Sequence, residues 1–127
     1  MRRTFFALAF LFAGFAENGG MAHAYASCRD LAGSNRSCFL EFDGPMRGRC
    51  EVCREGQSCF LALNGRDRDL CQAYVEDKSC FLALNGTDRA WCEVLKEGKS
   101  CFFAFNGSER EDCERGYSPW SHEFWRN

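Results

Sequence analysis

The chain has 127 residues, ten cysteines, two histidines and a formal net charge of −2, the composition of one small domain. Charges of both signs are interspersed, with no basic block for nucleic acid or an anionic membrane surface and no acidic tail. An even number of cysteines in so short a chain points to a disulfide framework.

The N-terminus reads as an export signal over residues 1–26. Arg2 and Arg3 form a basic start, Thr4 to Ala16 is an apolar run, and Glu17 to Ala26 is more polar and ends in small residues, the order of n-region, h-region and cleavage region. The apolar run is shorter than the ~20 residues that span a bilayer, so no integral membrane span is expected. Cleavage after Ala24 or after Ala26 fits, and the second is preferred. Arg2-Arg3 also allows a twin-arginine route, and Cys28 allows a lipid anchor, although the leucine usual before an acylated cysteine is missing. Both are weaker fits than a general secretory signal.

Residues 27–116 comprise a lead-in and four tandem repeats. First cysteines fall at Cys38, Cys59, Cys80 and Cys101, second cysteines at Cys50, Cys71, Cys92 and Cys113, and both series step by 21. A fixed period without insertions marks a stacked array of one supersecondary unit. Each unit reads as a helical hairpin. Ser37, Ser58, Ser79 and Ser100 stand where an N-cap belongs. Cys-Phe-Leu-Ala-Leu or a variant forms the first helix, and Asn-Gly (Asp43-Gly44 in repeat one) stops it. A second helix begins near Thr87 or Ser108 in repeats three and four, and Gly98 ends that of repeat three. Asn-Gly also suits a β-hairpin, but the residues after it do not alternate. The expected fold is therefore all-α: a disulfide-stapled, solenoid-like array of four short helical hairpins. Phe39, Phe60, Phe81 and Phe102 are expected to form a core ladder.

A first helix of five or six residues is too short to stand alone, and an in-repeat disulfide would hold it. Cys59 to Leu63 rises about 6 Å, and Cys71 lies about 7 Å back down the returning helix, so the two are level. The expected pairs are Cys38–Cys50, Cys59–Cys71, Cys80–Cys92 and Cys101–Cys113, leaving Cys28–Cys53. Pairing Cys71 with Cys80 would offset the partners by about 7 Å and strand Cys53 and Cys113 at opposite ends, but sequence alone leaves the connectivity open.

Two features could carry binding. Arg47, Arg68, Arg89 and Arg110 recur in register and would line up along one face. They could bind carboxylates or phosphates, or form a structural ion-pair ladder with Glu55, Glu76 and Glu97 or Asp67, Asp88 and Glu109, which is the favoured reading. The tail, 117–127, is aromatic. Trp120, Phe124 and Trp125 could anchor a partner, or cap the exposed end of the last repeat, which is favoured.

No catalytic constellation, metal site or cofactor motif is found. Cys50-x-x-Cys53 could be a redox or metal pair, but no βαβ pattern surrounds it. His122 has no evident partner in sequence. Asn35, Asn85 and Asn106 head glycosylation sequons, although the repeated Asn-Gly already has a structural reason. The expected function is a non-enzymatic module that binds an unidentified protein or peptide outside the cytoplasm, periplasmic or secreted. The alternative is a secreted effector or inhibitor acting on a foreign target.

Overall fold

A computed structural model describes residues 27–126; the export signal assigned to 1–26 lies outside them. The described chain is all-helical, with five disulfides joining its helices. The lead-in helix α1 (Cys28–Ala32) precedes four hairpins: α2 (Cys38–Glu41) with α3 (Gly44–Glu55), α4 (Cys59–Ala62) with α5 (Gly65–Tyr74), α6 (Cys80–Ala83) with α7 (Gly86–Glu97), and α8 (Cys101–Ala104) with α9 (Gly107–Glu114). The tail forms α10 (Trp120–Arg126). Each second helix packs on the first helix of its own repeat and, in repeats one to three, on that of the next repeat.

The first helices are four residues long, and their caps explain how so short a turn persists. Ser58 Oγ accepts from the Leu61 N–H at 3.3 Å, Ser79 Oγ from Leu82 at 3.3 Å, and Ser100 Oγ from Phe103 at 3.4 Å. The acid at the end of the repeat reaches back to the same turn: Glu76 accepts from the Cys59 N–H at 3.1 Å and Glu97 from the Cys80 N–H at 3.3 Å. Together these groups satisfy amides that a helix start leaves open.

The Asn-Gly corner differs in detail from the helix stop expected of it. In repeat two the first helix ends with Leu63 in extended conformation and Asn64 stays extended as the N-cap of α5. Gly65, at φ +54°, is the first residue of α5. The left-handed glycine thus opens the second helix instead of closing the first, so α7 and α9 start at Gly86 and Gly107, one residue before the expected Thr87 and Ser108.

Burial corrects the expected phenylalanine ladder. Successive helical side chains are about 100° apart, so in Cys-Phe-Leu-Ala the first and fourth residues share a face and the middle two point away. The disulfide fixes the cysteine inward. Phe39, Phe60, Phe81 and Phe102 are therefore exposed, together with Leu40, Leu61, Leu82 and Phe103. What the first arm of each hairpin gives the core is its cysteine and the residue just after the helix, Leu63, Leu84 and Phe105, with Phe42 partly buried in repeat one.

The disulfides run Cys38–Cys50, Cys59–Cys71, Cys80–Cys92 and Cys101–Cys113 within repeats, with Cα separations of 5.6 to 5.7 Å, and Cys28–Cys53 between α1 and α3 at 5.4 Å. Arg54 adds a second tie between the lead-in and repeat one, donating to the Leu31 carbonyl at 2.7 Å and to Glu41 at 2.9 Å. Five disulfides with no free cysteine among the described residues suit an oxidising compartment. Among those residues no helix is long and apolar enough to cross a membrane.

Candidate functional site

Each of the four first helices turns two large apolar side chains outward at the same repeat positions, 60 to 84 % exposed: Phe39 with Leu40, Phe60 with Leu61, Phe81 with Leu82, and Phe102 with Phe103. The short helices of repeats two to four read Cys-Phe-Leu-Ala, Cys-Phe-Leu-Ala and Cys-Phe-Phe-Ala, with no charged residue in them. Monomeric proteins rarely expose contiguous apolar patches beyond a few hundred Å² without a binding role.

The arginine series belongs to this surface. Arg47 lies over the Phe39 ring at 5.1 Å, Arg68 over Phe60 at 4.4 Å, Arg89 over Phe81 at 4.7 Å and Arg110 over Phe102 at 4.4 Å. Each is within the range of cation–π attraction. Two of the guanidinium groups are also pinned to the main chain. Arg68 Nε donates to the Leu63 carbonyl at 2.9 Å and Nη2 to Asn64 Oδ1 at 3.3 Å. Arg110 repeats this geometry with Phe105 at 3.0 Å and Asn106 at 3.4 Å.

The expected ion-pair ladder is thereby corrected. Arg47 meets Glu51 at 3.7 Å, but four of the six acids expected as countercharges have other work. Glu76 and Glu97 cap first helices, Asp67 pairs with Arg49 at 2.7 Å, and Asp88 pairs with Arg66. The arginines stack on phenylalanine, whereas Asp67 and Asp88 pair across the junctions between repeats and Glu76 and Glu97 turn back onto the first helix of their own repeat.

The aromatic tail is not at the end of the array. After α9 the chain turns at Gly116, and α10 lies across α5, α7 and α1. Phe124 and Trp125 are buried at 0 and 2 % exposure, while Trp120 remains about half exposed. Neither the cap over repeat four nor a free docking segment describes this placement. The helix is amphipathic enough to bury its aromatic face sideways, where Arg49 stacks between Trp120 at 5.1 Å and Phe124 at 5.0 Å.

His122, without an evident partner in sequence, is buried at the centre of this contact. Its Nε2 is 3.0 Å from Asp88 Oδ1 and its Nδ1 is 2.7 Å from the Tyr74 hydroxyl. Asp88 also accepts two bonds from Arg66, at 2.7 and 2.9 Å, and Arg66 donates to Ser121 Oγ at 2.9 Å. The Arg66 hydrogen bond holds the Asp88 carboxyl below its ordinary value. An ionised carboxylate can only accept, so Nε2 carries the imidazole proton and Nδ1 accepts from Tyr74. Burial lowers the His122 pKa against the opposing pull of Asp88, and burial raises that of the Tyr74 hydroxyl. The result is a neutral histidine bridging an acid and a phenol that does not readily ionise, an arrangement that fastens α10 to repeats two and three. No family model, curated protein or solved structure matches the chain.

The Cys50-x-x-Cys53 motif holds no dithiol, since Cys50 is bonded to Cys38 and Cys53 to Cys28. The same bond removes the Cys28 thiol that a lipid anchor would need. Among the described residues no group of His, Cys, Asp and Glu is arranged to hold a metal ion. Sequence reasoning missed the exposed Phe–Leu pairs as a surface. The signal was present: a four-residue helix whose first side chain is a disulfide cysteine cannot also turn its second and third inward.

Proposed function

We propose that this protein is an exported, non-enzymatic module that binds another protein or peptide outside the cytoplasm, and that the Phe–Leu row with its stacked arginines is the binding face. The observation that carries the reading is the repeated exposure of eight large apolar side chains on helices held rigid by disulfides. A surface fixed before contact loses little conformational entropy on association. The periodic apolar and cationic groups supply both contact area and orientation. An export signal over residues 1–26 and an oxidising compartment are consistent with one another and with the stapling.

Site-specific photo-cross-linking tests the reading. A photoreactive residue at Leu61 or Leu82 yields a defined protein adduct in the native host, while the same residue at Arg126 on α10, which packs on the second helices, does not. Equal labelling from all three positions, or adducts with lipid alone, removes the proposed role.

A further inference from the structure

We infer that the segment recognised by this face is an acidic amphipathic helix, whose apolar side chains seat on the Phe–Leu pairs and whose carboxylates meet Arg68, Arg89 and Arg110. The inference deepens the binding role proposed above and rests on it.

The first argument is charge. The helices that carry the row in repeats two to four hold no acid, and each has a guanidinium lying on its phenylalanine. Arg68 and Arg110 spend two donors each on the Leu63 or Phe105 carbonyl and the neighbouring asparagine. Guanidinium has five N–H donors, so one edge of each fork is left for a ligand. A planar fork fixed in this way suits the paired oxygens of a carboxylate better than a diffuse charge would.

Area is the second argument. Eight side chains at this exposure present on the order of 1,000 Å², comparable with the roughly 800 Å² that each partner buries in a standard interface. A helix laid along a row of apolar anchors is an established mode of peptide capture.

Two other occupants fit less well. A second copy of this chain would bring its own arginine row against this one, and like charges in close register repel. An extended anionic bilayer would act on the whole body, whose formal net charge is −2.

The test uses the oxidised chain and a fluorescent amphipathic helical peptide of about 20 residues with leucine on one face and glutamate along its flanks. Its counterpart carries lysine in place of glutamate, and phosphatidylglycerol vesicles form a third arm. The glutamate peptide is expected to bind, at least about tenfold more tightly than the lysine peptide, and more weakly as salt rises. Leu61→Ser with Leu82→Ser abolishes the binding, and Arg68→Gln with Arg89→Gln weakens it and flattens the salt dependence. The leucine pair is exposed, so it keeps the test decisive if the arginine changes lower the melting temperature. Binding of both peptides alike, of neither, or of vesicles without the glutamate peptide overturns the inference. A protein cross-linked from Leu61 while the glutamate peptide fails to bind refutes the acidic helix alone. Absence of any such adduct refutes the binding role itself.

Discussion

His122 on α10 and Asp88 on α7 lie 3.0 Å apart although 34 residues separate them in sequence, and this contact fixes the C-terminal helix to the middle of the array. Because burial lowers the His122 pKa below its ordinary 6.5, the unfolded chain binds that proton more readily than the folded one. The contribution is complete above about pH 6.5 and is lost as pH falls from there through the lower folded value. Asp88 is also lowered, from 3.8, so its contribution is lost only at more acid pH, below about 4. Thermal melts are therefore expected to show a fall in melting temperature between about pH 7.5 and 5.5 that is smaller in His122→Gln. The charges facing this histidine are Asp88 and Arg66 from the array and Glu123 from its own helix, and the comparison with His122→Gln separates its titration from theirs. An unchanged pH slope in the variant would falsify the assignment.

Asp88→Ala should detach α10 before it unfolds the repeats. The change strips the His122 Nε2–H and the Arg66 fork of their acceptor at once. A buried donor left without a partner costs about 1–3 kcal/mol. The bridging chain, which includes Arg115, is then expected to be cut by trypsin much faster than in the native chain. Loss of the tail fragment with all five disulfides intact is the readout. Unfolding of the whole chain in one step would mean that α10 and the array are a single cooperative unit.

The hairpin was legible because its determinants are local. A serine, a cysteine and an Asn-Gly corner repeat every 21 residues, and each acts within a few residues of itself. The orientation of Phe60 and Leu61 does not follow from their apolar type. In a four-residue helix, the angular position relative to Cys59 decides it. The route of the tail was not legible, since it depends on Tyr74, Asp88 and His122 meeting across 48 and 34 residues with no sequence pattern joining them. The arginine period was visible, but not that its partner is the phenylalanine eight residues earlier. That relation requires the hairpin to be closed first.

The division between displayed and buried apolar residues can be measured directly. Leu61 is exposed, and Leu63, two residues on, is buried at 3 %. Leu61→Ser is expected to change stability by no more than about 0.5 kcal/mol, the usual range for surface positions. Leu63→Ala is expected to cost about 2–5 kcal/mol, as large-to-small changes in a packed core do. Urea denaturation of the two variants checks this. Equal losses would mean that Leu61 is covered in the native state, by a second copy or by a segment outside the described residues.

Each in-repeat disulfide should contribute to stability chiefly by restricting the unfolded chain. Cys80–Cys92 joins residues 12 apart at a Cα separation of 5.7 Å, and closing so short a loop is worth about 3 kcal/mol in the chain-entropy model. The double change Cys80→Ser and Cys92→Ser is expected to lose at least that much. The cysteines are fully buried, so the replacement also removes core contacts and inserts two hydroxyls that need partners. Denaturant melts of the oxidised variant measure the loss. A loss well under 1 kcal/mol would show that the helix caps from Ser79 and Glu97 hold α6 without its staple.

Gly48 stands at a close approach between the first two repeats. It is buried in α3, and a Cβ added there would stand 2.4 Å from the Ala62 carbonyl oxygen and 2.7 Å from Leu63 Cδ2. A backbone oxygen cannot swing aside as a side-chain end could, so α4 would have to move as a body. That movement would draw on the Cys59–Cys71 staple and the Leu63 packing that anchor α4. Gly48→Ala is therefore expected to destabilise the chain by about 1–3 kcal/mol, the ordinary cost of overpacking, against the gain that alanine brings to an open helix position. The corresponding residue of repeat three is Ala90, which is only partly buried, so the junction it faces has room for a methyl group. Ala90→Gly should then cost the helix-propensity difference, about 1 kcal/mol, and the packing of one methyl group against the Trp91 and Phe105 cluster. Denaturant melts of the two variants give the comparison, and a stabilised Gly48→Ala would show that the first two repeats are not packed this closely.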